Sequence, residues 1–160
     1  MDPMEQLLKQ AIKLKNEKKY AQSREILIGL TNFTRDAEVL YQCAWIHDVM
    51  GLETKAVPYY EQAIANGLEG ESLCGAYIGL GSTYRCIGEY DKAIAVLEAG
   101  LNKFPDNDVM KVFLSIAKYN VKDHEEAMKL LLETVVKVDE VKEFERAISF
   151  YKDHLNKVFK

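Results

Sequence analysis

The sequence predicts an all-α fold, a solenoid of about four helix-turn-helix repeats followed by a C-terminal capping helix. One observation is a set of small residues that recur 33, 37 and 34 positions apart, namely Ser23, Ala56, Ala93 and Ala127. A second is that each is followed four positions later by a bulky apolar residue, namely Leu27, Tyr60, Leu97 and Leu131. Residues four apart share one helix face, so a small residue beside a large one lets two helices approach closely. A period near 34 residues is typical of solenoids, in which each repeat buries its apolar face against its neighbours.

The first helix of each repeat carries a matching signature, most completely in Tyr77-x-x-Leu80-Gly81-x-x-Tyr84. The small residue at its centre recurs as Ala11, Ala44, Gly81 and Ser115. These positions resemble the tetratricopeptide repeat family over residues 4 to 141, and they are similar to its bacterial subgroup called group 5. The resemblance implies a right-handed α-solenoid, a single domain over residues 1–160 and a role in binding other proteins.

The first two repeats, residues 4–36 and 37–73, depart from the family pattern. The first has Ser23 in place of the anchor alanine and Lys18 in place of the turn glycine. In the second, Pro58 lies inside a helical pattern, so that helix either starts late or bends there. The same repeat has about three extra residues in the segment 66–71, whose glycines suit a wider turn.

The third repeat, residues 74–107, is nearly a complete match and ends at Pro105, where a helix can stop. The fourth, residues 108–138, has lysines at places that the family usually fills with aromatic residues or glycine: Lys111, Lys118 and Lys122. Terminal repeats are expected to be atypical because one of their sides faces water.

The pattern of residues 139–158 predicts one continuous capping helix. Asp139 suits its N-terminus, and apolar residues recur every three or four positions to form a single stripe. The stripe consists of Val141, Phe144, Ile148, Tyr151, Leu155 and Val158. We expect this helix to cover the last apolar face of the solenoid.

Composition and charge narrow the function classes. Residues 1–36 have a net charge of plus two and residues 37–73 of minus five, so the second repeat is acidic and no basic stripe for nucleic acid is present. No apolar run is long enough to cross a membrane, and the N-terminus lacks a signal-peptide order, so we expect a cytoplasmic protein that binds neither membrane nor nucleic acid. The odd cysteine number, Cys43, Cys74 and Cys86, favours reduced thiols.

In the family, the first helices line a concave groove that binds partner peptides. The resemblance maps the groove onto three positions in each repeat: Leu8, Ile12 and Lys15; Tyr41, Trp45 and Asp48; Ile78, Ser82 and Arg85; and Val112, Ile116 and Tyr119. Most are apolar or aromatic. The lysines and asparagines with which chaperone-binding members clamp a terminal carboxylate are missing here. We therefore expect the groove to bind an apolar or aromatic segment or a helix of a partner protein.

Tyr41 and Trp45, four residues apart, are the expected anchors of that groove because aromatic rings give a large contact area at low rotamer cost. Arg85 suits a ligand carboxylate or stacking on an aromatic ring, and Asp48 suits a basic side chain or Arg85 itself. The alternative for Trp45 is a packing role against the first helix of the third repeat.

Two other function classes remain open at this stage. One is self-association, in which one copy occupies the groove of another to form a homodimer. The other is a remote enzyme hypothesis, in which Cys43 and His47 act as a nucleophile and its base. Both residues occupy positions that face the core, and no third orienting group is recognisable, so we predict no enzyme. His124 and His154 are isolated, and neither a metal site nor a cofactor is predicted.

Overall fold

A computed structural model describes residues 1–159, which form ten helices and no strand. The helices are α1 (Pro3–Asn16), α2 (Tyr20–Thr31), α3 (Ala37–Val49), α4 (Glu53–Ala65), α5 (Gly70–Cys86), α6 (Tyr90–Lys103), α7 (Asp108–Asn120), α8 (His124–Val135), α9 (Asp139–Lys142) and α10 (Glu145–Tyr151). The prediction of an all-α chain is therefore confirmed. The α5 helix begins four residues before the bound expected for the third repeat, at Gly70.

The chain divides into two compact units, Met1–Gly88 and Glu89–Lys160. In the first unit, α1 pairs with α2, α3 pairs with α4, and α5 packs against both α3 and α4. In the second unit, α6 packs against α7, α7 pairs with α8, and α8 contacts α10. Consecutive helices thus form the expected pairs within each unit. That residues 1–160 form a single domain stays a prediction.

The periodic small residues lie in the core as predicted. Ser23, Ala56 and Ala93 are fully buried, and so are the bulky partners Leu27 and Tyr60. Ser23 replaces alanine without leaving its hydroxyl unpaired, because its Oγ donates a 2.8 Å hydrogen bond to the carbonyl of Ala11 on α1. The fourth repeat differs: Leu131 is 40% exposed, and the neighbouring Leu130 is buried in its place.

Four short turns between successive helices share one backbone conformation. Gly51 and Gly88 have positive φ angles of 71° and 82°, and Lys18 and Lys122 have φ angles of 60° and 66°. The two lysines therefore adopt the left-handed conformation that glycine adopts at the equivalent turns. The wider turn predicted around residues 66–71 also depends on glycines with positive φ, Gly67 and Gly70.

The α4 helix runs from Glu53 through Pro58 to Ala65, so the late start considered from the sequence is wrong. Proline removes the hydrogen bond to the carbonyl four residues earlier, that of Thr54. Because both Pro58 and Thr54 are exposed, water can satisfy this carbonyl, and the helix tolerates the proline.

The single capping helix predicted over residues 139–158 is also wrong. The segment forms the two short helices α9 and α10, separated by a turn at Glu143 and Phe144. Its apolar stripe is not buried: Phe144 is 57% exposed and Val158 is 77% exposed. A short amphipathic helix is stabilised mainly by packing its apolar face, and α10 packs only lightly on α8, so the pattern is not realised as one long helix.

Candidate functional site

None of the residues predicted for the groove is fully buried, although each of the four helices also carries buried residues between them. In the first unit, Tyr41, Trp45 and Asp48 on α3 and Ile78, Ser82 and Arg85 on α5 are all partly exposed, as are Leu8, Ile12 and Lys15 on α1. In the second unit, Val112 and Ile116 on α7 are partly exposed and Tyr119 is 62% exposed. Each unit thus presents the predicted side chains at a surface. That they form one groove stays a prediction.

Trp45 presents its ring against the side chain of Lys15. The Lys15 Nζ lies 4.2 Å from the centre of the Trp45 ring, a cation–π contact between α1 and α3. The same Nζ donates a 2.6 Å hydrogen bond to Gln42 Oε1, and Gln42 Nε2 donates to Glu38 Oε1 at 2.7 Å. Burial lowers the pKa of Lys15, while the nearby Glu38 carboxylate opposes that change. One face of the indole is therefore held in place by α1, and the ring remains only partly buried.

Tyr41 lies one helical turn before Trp45, and its ring packs against that of a second tyrosine, Tyr60. The ring centres of Tyr41 and Tyr60 are 6.3 Å apart, tilted by 51°. Both rings reach α5 at glycines. A Cβ added to Gly75 would lie 3.1 Å from Cζ of Tyr41, and one added to Gly79 would lie 2.5 Å from Cζ of Tyr60. Glycine is thus needed for both tyrosines to approach α5 this closely.

This glycine pair was not recognised from the sequence, where only Gly81 was assigned a close contact. The available signal was the spacing itself, because Gly75 and Gly79 lie four residues apart on one face of α5. The tyrosines that fill the two gaps lie on different helices of the preceding repeat. That pairing could be seen only in three dimensions.

Asp48 is held by hydroxyl groups inside the first unit. Its Oδ2 accepts a 3.0 Å hydrogen bond from the hydroxyl of Tyr60. Burial raises the pKa of Asp48, and the hydrogen bonds from Tyr60 and Thr83 partly offset that rise. The predicted ligand-binding roles of Asp48 and Arg85 stay predictions.

The geometry of Cys43 and His47 does not support the nucleophile pair considered above. Burial raises the pKa of Cys43 to about 11, so the thiol is protonated near neutral pH. Arg24 Nε lies 3.1 Å from His47 Nε2, and because this guanidinium group can only donate, Nε2 must accept. His47 Nδ1 therefore carries the proton and donates it to the backbone carbonyl of Cys43 at 2.7 Å. No imidazole nitrogen is left to accept the thiol proton.

Over residues 1–159, no group of three or more histidine, cysteine, aspartate or glutamate side chains is placed to hold a metal ion. Within the same range, no helix has both the length and the apolar character needed to cross a membrane.

Comparison with known proteins identifies the family and the fold. Residues 37–155 match the family model described as Tetratrico peptide repeat, of the group 5 type predicted from the sequence. A comparison with curated protein sequences gives no significant match. Among solved structures, the crystal structure of MamA protein is 19% identical with a TM-score of 0.76, and the similarity covers 99% of this chain and 79% of that one.

Two other solved structures are similar over most of the chain. MamA from residue 41 onward, from Desulfovibrio magneticus RS-1, is 17% identical with a TM-score of 0.75, covering 96% of this chain and 87% of that one. YrrB, described as a TPR protein with an unusual peptide-binding site, is 12% identical with a TM-score of 0.72, covering 90% and 71%. At these identities the similarity shows the fold alone, and it confirms the predicted fold class.

Proposed function

The chain belongs to the tetratricopeptide repeat family, and from that premise we propose that it is a non-enzymatic scaffold that binds a peptide or helix of a partner protein on the first helices of its repeats. A general role in protein interaction follows from the family. YrrB, which shares the fold, is described as having a peptide-binding site. Binding through the predicted groove residues is the specific part of the proposal.

The proposal depends on the exposure and the fixed positions of the Tyr41 and Trp45 rings on α3. Both rings are partly exposed, one helical turn apart, and each is already fixed by a neighbour inside the first unit. Lys15 covers one face of Trp45, and Tyr60 supports Tyr41. A partner that contacts these rings does not have to immobilise them first, so less of its binding energy is lost to ordering side chains. Fixed, partly exposed aromatic residues are typical of binding hot spots.

The test uses Trp45 as its own reporter, because it is the one tryptophan in the sequence. Proteins are captured from a native cell extract, and those that bind are titrated into the purified chain, in which Trp45 is selectively labelled as fluorotryptophan and its fluorine NMR signal is followed. We expect that signal to shift on binding, and we expect Trp45→Ala to weaken capture at least about tenfold, the loss typical of a central aromatic anchor.

The matched control is Phe33→Ala. Phe33 is also an aromatic residue of the first unit, it is 83% exposed, and it lies outside the first helices. Both variants are expected to keep their helix content, which circular dichroism checks. If the Trp45 variant retained every partner of the wild-type chain, or if the Phe33 variant lost the same partners, the proposal would be wrong.

Self-association is the second candidate function, and an apolar surface of the second unit favours it. A cavity of about 320 Å³ between α7 and α8 is lined mainly by apolar side chains, among them Tyr119, Met128 and Leu131, which are all exposed. Exposed apolar patches of this kind often mark protein interfaces. Light scattering over a range of concentrations, repeated with Met128→Glu, tests self-association. A homodimer that the introduced charge disrupts supports this function, and a monomer at every concentration excludes it.

The cytoplasmic location and the lack of nucleic-acid or membrane binding stay predictions.

A further inference from the structure

A positively charged cleft lies between α2 and α4, the second helices of the first two repeats. Its volume is about 530 Å³, and its walls include three cationic side chains, Arg24, Arg35 and Lys55, with no acidic side chain among the residues that line it. The predicted groove residues lie on the first helices, so this cleft is a different surface. No feature of the sequence indicated it, because residues 37–73 carry a net charge of minus five and contribute only Lys55.

Among the described residues, the three cations are not paired with carboxylates. Arg24 Nε donates to His47, and Arg35 Nη1 donates to the backbone carbonyl of Thr31 at 3.3 Å, which leaves further donors on each guanidinium group. Over residues 1–159, none of the three forms an ion pair with a carboxylate. The cleft is thus a concentration of positive charge on a chain whose net charge is minus four.

The cations occupy two ends of the cleft. At one end, Arg24 and Lys55 both act on His47: burial lowers the pKa of His47, and the charges of these two side chains lower it further. At the other end, Arg35 Nη1 lies 3.3 Å from the carbonyl oxygen of Thr31, the last residue of α2. Arg24 and Thr31 are separated by about 10 Å along α2 at the helical rise per residue.

A single small anion does not span that separation, whereas an extended peptide does. At roughly 3.3 Å per residue, about three residues cover the distance between the two cationic ends. Between the ends, the wall of the cleft is less polar, with Ile28 on α2 and Pro58 and Tyr59 on α4. Arginine forks suit carboxylates geometrically, and the apolar middle suits the backbone and small side chains between them.

We propose that the cleft between α2 and α4 is a second binding site, which takes an acidic segment of a partner protein with carboxylates at both ends. Arg24 and Lys55 bind one carboxylate, and Arg35 binds the other. This site works independently of the groove proposed above, because it shares none of the groove residues.

The experiment measures fluorescence anisotropy of a labelled probe peptide, acetyl-Glu-Glu-Gly-Ala-Gly-Glu-Glu-amide, titrated with the full chain at low salt. The control peptide has glutamine at every glutamate. We expect saturable binding of the acidic probe alone, and binding that weakens as salt is added. The double variant R35Q/K55Q should bind at least about tenfold more weakly, since two charge-assisted contacts are lost.

Both substituted side chains are exposed, so the variant is expected to fold. The charge control is Lys13→Gln, which removes a cation from the same unit; its side chain is 77% exposed and lies outside the cleft. A site-specific readout comes from histidine NMR. Carboxylates bound to Arg24 and Lys55 should raise the pKa of His47, while the signals of His124 and His154, in the second unit, should stay unchanged.

Four results would overturn the proposal. They are the absence of saturable binding, an equal loss of affinity in Lys13→Gln, displacement of the probe by inorganic phosphate at the concentration of the peptide itself, and loss of probe binding in Trp45→Ala. The third outcome would show a site for a single small anion, and the fourth would place the probe in the groove of the first helices. If the groove proposal fails but the acidic probe binds as expected, the proposal for this cleft is still supported.

Discussion

At the scale of single residues, Gly79 determines how closely α5 approaches the preceding repeat. A Cβ at this position would lie 2.5 Å from Cζ of Tyr60, and Tyr60 is fully buried, so its ring has no free space into which to move. We predict that Gly79→Ala lowers the free energy of unfolding by about 1–3 kcal/mol, the cost of overpacking a core. Urea unfolding, followed by the emission of Trp45 and by circular dichroism, measures the change.

Two other glycines provide the comparison. Gly29 lies inside α2 with no atom within 4 Å of its added Cβ, so Gly29→Ala should stabilise the protein by about 0.5–1 kcal/mol through helix propensity. Gly75→Ala should cost less than Gly79→Ala, because Tyr41 is partly exposed and its ring can shift. Equal effects at Gly29 and Gly79 would show that Tyr60 does not require the glycine.

At the scale of the structural elements, two turns contain lysine in a backbone conformation that favours glycine. Lys18 and Lys122 have φ angles of 60° and 66° and form no ion pair within residues 1–159. A left-handed conformation costs a residue with a Cβ about 1–2 kcal/mol. Replacing that residue by glycine removes this strain, but the greater freedom of glycine in the unfolded chain offsets part of the gain. We predict that Lys18→Gly and Lys122→Gly each stabilise the protein by about 0.5–1 kcal/mol, measured as a rise in Tm.

The opposite substitution is the control for these turns. Gly51 adopts the same conformation, with φ at 71° and open space around an added Cβ, so Gly51→Lys tests backbone strain without a steric clash. It should destabilise by about the amount that the reverse changes gain. A neutral result in all three variants would mean that the turn conformation does not limit stability.

Some structural elements can be predicted from the sequence, and others cannot. The helix pairs follow from the spacing of Ser23, Ala56 and Ala93, since a helical face is a local pattern. The segment after α8 was mispredicted because a stripe such as Phe144 to Val158 indicates which face a helix would bury but not whether a neighbour exists to cover it. The Gly75–Gly79 contacts and the cleft between α2 and α4 join residues of different repeats, and their positions depend on packing.

At the scale of the whole molecule, the boundary of the first compact unit falls after α5, inside the third repeat rather than between repeats. This is expected if the first helix of a repeat completes the core of the repeat before it, as nearest-neighbour packing in solenoids requires. The contacts support that reading: α5 packs on both α3 and α4, and the buried ring of Tyr60 on α4 lies against Gly79 of α5 while its hydroxyl donates to Asp48 of α3.

The last prediction therefore compares two fragments, residues 1–73 and 1–88, which differ mainly by α5. Without α5, Tyr60 loses its cover, and burial of one large side chain contributes about 1.5–3 kcal/mol. We expect fragment 1–88 to unfold cooperatively in urea with Trp45 as the probe, and fragment 1–73 to unfold at a clearly lower midpoint or to lack a transition.

Fragment 1–88 carrying Gly79→Ala is the control that weakens the same interface without shortening the chain, and its midpoint should lie between the two. If fragment 1–73 proved as stable as fragment 1–88, each repeat would be sufficient for its own core, and the nearest-neighbour account of this chain would have to be abandoned.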